Sequence, residues 1–545
     1  MGGDHSGRRR RAFSSLAGNA ALLRVLAAYL LFILTEYAVW IAMLVFAYNR
    51  GGTAVAGLVA VAQLAPAAVV APVAASLADR RSPVVMLAGG YLAQVAGMAG
   101  TAAAIGAGAP LAAYAAAVFA STAVTTTRPA QSALIPSLAA TPDQLTAANV
   151  VAGWLEAAGA AAAGLLVGVL ISLAGVGSVF AVCAGLGLAA ALLVAGLRAT
   201  PLAAEADADT DASTAGVAEG LRLAVRQPRL RLMLALLTAD AIVVGALDLL
   251  VVILALTVLG RPPSWAGYLQ FAFGAGAVLA ATVSALLVGR RLGGPILAAA
   301  LVFSGALAAV AFGPGLAGTV ILLATAGAGH LLLEVATRTL LQRSVPPRLI
   351  GRIFGVLEGF TMAGLAVGAL LVPALAHLGG SQLAVLGVSA VLPLAAVAGG
   401  RAVFRLDAGT AVPVVEIALL RSLPLFAELP APAIEGLAAA LRPVRLEAGA
   451  VLIRQGDPGD AYFAIAAGEL DAEQDGHFLG RYGRGDGVGE IALLRAVPRT
   501  ATVTAHTAAT VYRLDRDLFL TAVLGHAPTR RQAEGIAAAR LATDG

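Results

Sequence analysis

Apolar runs of about 20 residues, the length that crosses a bilayer as a helix, recur from residue 24 to residue 402. Twelve such runs have approximate limits 24–48, 54–76, 84–106, 110–127, 147–171, 176–198, 231–259, 264–288, 294–313, 317–337, 352–377 and 381–402. They predict twelve transmembrane helices. Short Gly/Pro turns such as 106–110 and 313–318 separate them. The first run is too long for a cleaved signal peptide, and more spans follow it. After Leu419 the pattern changes. Residues 419–426 and 433–441 read as short amphipathic helices, followed by short alternating runs at 451–453, 462–465, 501–505 and 511–514. Turns at 455–460 and 483–487 divide these runs. Many short strands with turns predict a small barrel or jelly roll, and helix returns from Phe519.

Composition sharpens this division. The 545 residues are 59% hydrophobic and 12% charged, against about 25% charged in soluble domains. A wholly soluble protein and a disordered chain are both excluded. After Val414 the chain holds 13 Arg and 16 Asp+Glu; before that point it holds 23 Arg and 15 Asp+Glu. A membrane domain therefore precedes a soluble one. The single cysteine, Cys183, excludes a disulfide framework and any Cys-based metal or iron–sulfur centre. All 36 basic residues are Arg, which reads as codon bias. They flank apolar segments and form no basic face, so nucleic acid is not an expected partner.

Arg placement sets the expected orientation. With the N-terminus in the cytoplasm, 21 of the 23 Arg of the membrane domain fall on cytoplasmic segments, Arg50 and Arg261 being the exceptions. Both termini are then cytoplasmic, and the protein is multi-pass in the plasma membrane. The two six-helix halves also look alike. Thr127-Arg128 and Thr337-Arg338 are 210 residues apart, as are Arg80-Arg81 and Arg290-Arg291; Glu156 and Glu358 are 202 apart. Parallel repeats of this kind mark transporters whose substrate binds between the halves. The expected divisions are a basic tail (1–19), a first half (20–198), a flexible linker (199–229), a second half (230–405), a linker (406–418) and a soluble domain (419–545).

Twelve spans in two halves, with Leu77-Ala78-Asp79-Arg80-Arg81 between spans two and three, resemble the major facilitator superfamily. The family's motif begins with Gly where this chain has Ala75, and Ser82-Pro83 replaces its later Gly. Asn149, Leu341-Gln342 and Gly351-Arg352-Ile353 resemble the drug and siderophore exporter branch. The resemblance covers about residues 20–405 and implies that spans 1, 4, 7 and 10 line a central cavity.

Ionisable groups within spans cost about 3 kcal/mol or more, so each is a functional candidate. Glu36, Asp240, Asp248, His330 and Glu334 are the candidates for transport and proton coupling. A desolvated carboxylate there could carry a proton. Glu334 is also i, i+4 to Arg338, so a structural ion pair is the competing reading. Glu156 and Glu358 are assigned to structure or gating where the halves meet. Asp79 and Arg80 are assigned to gating at the cytoplasmic face, with Asp79 facing the N-terminal dipole of span 11.

In the soluble domain one segment carries chemistry: Gly489-Glu490-Ile491-Ala492, then Arg499-Thr500. A Gly followed by a helix start offers backbone N–H groups to an anion. The Arg can clamp a phosphate through two N–H groups. The Glu can accept a hydrogen bond from a ribose hydroxyl. Together they describe a nucleotide pocket. The segment resembles the phosphate-binding cassette of cyclic nucleotide-binding domains, over about residues 419–525, although Val488 replaces that family's usual Phe. The resemblance implies that Arg499 meets the cyclic phosphate of cyclic AMP and Glu490 the 2′-hydroxyl, with Gly489, Ile491 and Ala492 supplying backbone contacts. Thr500 leaves cyclic GMP open.

The expected protein is an all-α polytopic membrane domain joined to a cytoplasmic β-jelly-roll. It is expected to be a proton-coupled exporter of a small molecule regulated by cyclic nucleotide, with lipid, nucleotide, substrate and protons as partners. No metal and no enzymatic activity are expected. The alternative is a membrane-anchored cyclic nucleotide receptor with an idle membrane domain. A channel filter of the Thr-Val-Gly-Tyr-Gly kind is missing. A Gly-rich loop ending Gly-Lys-Ser/Thr, needed for an ATP-driven pump, cannot occur without Lys.

Overall fold

The computed structural model describes residues 16–78, 82–138, 142–197, 222, 227–284, 292–344, 350–409, 414–426, 429, 431–524 and 535. Asp79 and Arg80, most of the 199–229 linker, and nearly all of the chain beyond residue 524 lie outside them. The chain divides into two compact units, one within residues 1–410 and one within 411–545.

The first unit is entirely helical among its described residues. It contains α1 (Ala20–Ala78), α2 (Pro83–Gly106), α3 (Pro110–Leu138), α4 (Pro142–Ala174), α5 (Val176–Val194), α6 (Pro228–Ile253, continued by a π-turn at Leu254–Val258), α7 (Ser264–Ser284), α8 (Gly293–Val310), α9 (Gly315–Ser344) and α10 (Ile350–Gly409). Asn19 starts α1, its Oδ1 accepting the Leu22 N–H at 3.1 Å. Pro stands in the first turn of α2 and α6, where a missing N–H costs nothing. α1 and α10 each break at a Gly-Gly pair. Gly52 and Gly380 take φ of 63° and 73°, a left-handed backbone open to glycine, so each chain reverses in two residues.

Among the described residues, eight helical stretches are long and apolar enough to span a membrane. This is fewer than the twelve runs read from the sequence, for identifiable reasons. The stretches 20–66 and 353–398 each hold two runs joined at a Gly-Gly break, the run at 110–127 counts only as the shorter 110–124, and the run at 264–288, described as the helix Ser264–Ser284, is not one of the eight. Large apolar side chains face outward, as a lipid-facing surface requires: Leu111 is 81% exposed and Val397 82%.

The two halves touch at the end that carries the tight turns. A Cβ on Gly164 of α4 would stand 2.6 Å from the Phe271 N of α7, so these helices meet backbone to backbone. Tyr48 Oη lies 2.8 Å from Thr257 Oγ1. Toward the other end, the first half keeps a core of its own, including Leu22, Phe32, Tyr91, Leu134 and Val194, with no residue from the second half among the described residues.

The second unit opens with α11 (Val414–Ser422) and α12 (Ala431–Ala440), followed by eight strands in two antiparallel sheets, ordered β1-β8-β3-β6 and β2-β7-β4-β5. The strands are β1 (Arg442–Leu446), β2 (Val451–Ile453), β3 (Ala461–Ala467), β4 (Leu470–Gln474), β5 (His477–Tyr482), β6 (Gly487–Val488), β7 (Thr502–Ala505) and β8 (Ala509–Asp515). A short α13 (Glu490–Arg495) lies between β6 and β7, and α14 (Arg516–Leu524) follows β8. This is the expected jelly roll. Its interior is filled by Ile453, Ile465, Leu470, Val488 and Val511. Phe426, Tyr462 and Phe519 pack ring against ring and fasten the helices to the β3–β8 sheet. The expected linker at 406–418 is helical on both described sides, because helix formers run to Gly409 and no proline intervenes before Pro413.

Candidate functional site

The six cassette residues come together. Gly489, Glu490, Ile491, Ala492, Arg499 and Thr500 line one cleft in the jelly roll, partly open to solvent. Ile453, Ala472, Leu479 and Tyr482 form an apolar wall of the same cleft. Gly489 caps α13 with φ 96°. A Cβ there would stand 2.5 Å from Arg499 Nη1. Glycine is therefore what allows the arginine to lie against the backbone.

Arg499 is 5% exposed and Glu490 is 2% exposed. Arg499 Nη1 donates to the Gly489 carbonyl at 3.1 Å, and Nη2 donates to the Ala461 carbonyl at 2.7 Å and to Asp460 Oδ1 at 3.1 Å. Three bonds leave two of its five N–H groups for a ligand. Its backbone is pinned as well: its N–H reaches the Asp457 carbonyl at 2.8 Å, and its carbonyl accepts from Gly456 at 2.9 Å. Burial draws the guanidinium below its ordinary pKa, and the Asp460 carboxylate opposes that. Asp460 is shared with Arg513, whose Nη2 donates to Oδ2 at 3.1 Å. Sequence reading placed 455–460 in a turn but did not single out Asp460. The signal available was the acid that closes the turn just before β3.

In the membrane unit the candidates fall into three groups. Arg128 of α3 binds Glu36 of α1 at 2.9 Å and Glu156 of α4 at 3.5 Å. Glu156 thus pairs inside its own half. In α9, His330 Nδ1 meets Asp240 Oδ1 of α6 at 3.0 Å, while His330 Nε2 lies 3.9 Å from Glu334. Glu334 also pairs with Arg338 at 3.0 Å, so the i, i+4 ion pair read from the sequence is present. Phe273 and Phe303 hold the His330 ring, each centroid 5.6 Å away. Arg128 and Arg338 occupy equivalent repeat positions but choose different partners. Glu358, the counterpart of Glu156, is exposed and makes no ion pair among the described residues.

Asp248 of α6 forms the third group. It accepts from Trp40 Nε1 of α1 at 2.9 Å and from Gln270 Nε2 of α7 at 3.3 Å. Neither donor was singled out from the sequence, although Trp40 follows Glu36 by four residues on one helix face. The side chains of Arg128, Glu36, Glu334 and Arg338 are 23–43% exposed. Charges are too costly to face lipid, so an exposed ionised side chain in a span requires access to water. No cluster of three His, Cys, Asp or Glu that could hold a metal occurs among the described residues.

Comparison with known proteins gives two family matches. The Major Facilitator Superfamily matches residues 25–368, and the cyclic nucleotide-binding domain matches residues 443–526. An uncharacterized protein of Mycobacterium tuberculosis is 40% identical over 100 residues, 18% of this chain and 20% of its own length. The cAMP-dependent protein kinase regulatory subunit of Aspergillus niger is 39% identical over 104 residues, 19% of this chain and 25% of its own. The solved regulatory domain of Toxoplasma gondii PKA with cAMP shares 33% identity, covers 20% of this chain and 44% of that chain, and has a TM-score of 0.20. The chain therefore spans about a fifth to a quarter of these two curated relatives. The transporter match, by contrast, runs over more than half of the sequence: the chain belongs to the major facilitator superfamily, and a cyclic nucleotide-binding domain follows its transporter fold.

Proposed function

We propose that this protein exports a small molecule in exchange for protons, and that cyclic nucleotide bound to its C-terminal domain sets the rate. Both termini face the cytoplasm in this reading, so the nucleotide acts from inside the cell, in keeping with the Arg-rich segments on that side. The regulatory half is carried by one observation. Arg499 and Glu490 are both buried in the walls of one cleft, a phosphate donor and a hydroxyl acceptor opposite an apolar wall suited to a base. The relatedness to a cAMP-dependent kinase regulatory subunit favours cyclic AMP as the ligand.

Proton coupling draws on the second half of the membrane unit. His330 stands between two carboxylates, Asp240 on one ring nitrogen and Glu334 on the other. An imidazole can take a proton on one nitrogen while releasing one from the other. Nucleotide binding changes transport only through unequal affinity for two transport states.

The test reconstitutes the full-length chain in liposomes with a pH-sensitive dye inside, cyclic nucleotide on both faces and a lipophilic organic cation as trial substrate. Cyclic AMP should change the rate of substrate-driven proton flux, and Arg499→Ala should remove that change while leaving the nucleotide-free flux. Proton flux indifferent to nucleotide would refute regulation. Nucleotide binding by a membrane domain that moves neither protons nor substrate would favour the anchored receptor.

A further inference from the structure

The bond from Trp40 to Asp248 crosses between the halves of the transporter fold. Trp40 lies in the first half on α1, and Asp248 in the second half on α6. Further along the same two helices, Tyr48 and Thr257 make a second bond of this kind at 2.8 Å. Both lie toward the turn-bearing end, where the halves are in contact. Glu36 and Glu156, by comparison, pair with Arg128 within one half, and Asp240 and Glu334 pair with His330 and Arg338 within the other. Asp248 is thus the candidate acid that is bonded across the seam.

The chemistry of the two donors differs. Trp40 Nε1–H can only donate. Gln270 can donate through its amide nitrogen or, with the amide turned over, accept through its oxygen. Its Oε1 is buried and makes no hydrogen bond in the present arrangement. An ionised Asp248 takes both donors. A protonated Asp248 can turn its O–H to the free Gln270 oxygen and keeps only a neutral bond to Trp40. Bonds to a charged acceptor are about twice as strong as neutral ones. The titratable groups that face Asp248 are His330 from α9 and Tyr37 from α1; α7 and α10 add none among the described residues.

The geometry points to Trp40 as a positioning residue of the transport cycle: its indole N–H and the Asp248 carboxylate form a clasp that holds the two halves shut at the turn-bearing end, and protonation of Asp248 opens it. The clasp rests on the proton-coupled reading above and gives it a moving part. A proton that reaches Asp248 from the aqueous cavity weakens the bond between halves, so the proton and the change of access are linked at one residue.

The test uses the full-length chain in lipid nanodiscs. Cys183 is replaced by serine, and Ile253→Cys is introduced. Ile253 is 2% exposed and lines the cavity beside Tyr48, Thr257 and His377. The readout is the rate of modification by a membrane-impermeant thiol reagent, normalised to the denatured protein at each pH. The unmodified clasp should label slowly at pH 8 and faster as the pH falls to 5. Trp40→Phe and Asp248→Asn should each label about fivefold or more faster at pH 8, with a flat pH profile, as expected on losing a charge-assisted bond. A Trp40→Phe profile matching its parent would overturn the clasp, as would pH dependence surviving in Asp248→Asn. If neither variant folds, a flat profile in the parent overturns it on its own. Flat labelling alongside proton-driven transport removes the clasp and leaves the transporter reading; pH-dependent labelling without proton-driven transport does the reverse.

Discussion

A methyl group added at Gly489 tests the nucleotide pocket more sharply than removing the arginine does. Gly489→Ala keeps every charge and every hydrogen-bonding group of the cleft. It has two costs. At φ 96° a non-glycine residue sits in a left-handed backbone, which costs about 1–2 kcal/mol. The new carbon would also lie 2.5 Å from Arg499 Nη1 and 3.1 Å from the Ala461 carbonyl. Carbon contacts are comfortable only from about 3.5 Å, so the guanidinium must withdraw by on the order of 1 Å. That displacement costs the ligand at least one charge-assisted bond, about 1.5–3 kcal/mol. At 1.4 kcal/mol per tenfold, the nucleotide Kd should rise roughly 10- to 150-fold. The backbone strain should lower the unfolding midpoint of the domain by roughly 3–10 °C. Calorimetric titration of cyclic AMP into the full-length chain reads the first effect and a thermal melt reads the second. Nucleotide affinity within threefold of the parent would show that the position of Arg499 does not depend on Gly489.

Three further outcomes are expected. Arg499→Lys keeps the charge but loses the planar fork, so it should leave the Asp460 contact and still weaken cyclic AMP binding by at least tenfold in the same titration. Asp471 is held below the ordinary carboxylate range, first by hydrogen bonds from Arg481; a depressed carboxylate adds stability above its unfolded pKa and loses it as pH falls through the folded one. The melting point of the C-terminal domain should therefore drop on acidification below about pH 4, and less so in Asp471→Asn. Gly267→Val drives a branched side chain into the Gly164 and Gly168 backbone, so it should part α4 from α7 and raise thiol labelling at the turn-bearing end.

The sequence carried the architecture well where physics leaves a long signal. Twenty-residue apolar runs needed no structure. Four strands matched short apolar runs, but β1, β4, β5 and β6 did not stand out. β4 reads Leu-Asp-Ala-Glu-Gln, with Leu470 and Ala472 inward and the acids outward; five residues of that kind also suit a loop. In the cassette, Gly489, Glu490 and Arg499 were legible because the pattern is local. Asp460 was not, since it meets Arg499 only after the sheets fold and lies 39 residues away in the chain. The same holds for the partners of Asp248, which lie 208 and 22 residues from it. A buried acid announces itself in a sequence, whereas the donor that satisfies it does not.

The two-residue reversals in α1 and α10 have a bearing on how the protein meets its surroundings. Every described turn at that end is short: Gly51-Gly52, residues 107–109, Gly175, residues 259–263, residues 311–314 and Gly379-Gly380. Almost no chain projects there for an antibody, a protease or a phage receptor to grip. An epitope tag intended for that face belongs in 259–263, the longest of the six, because an insertion at Gly52 or Gly380 would have to replace a left-handed backbone that holds two rods side by side.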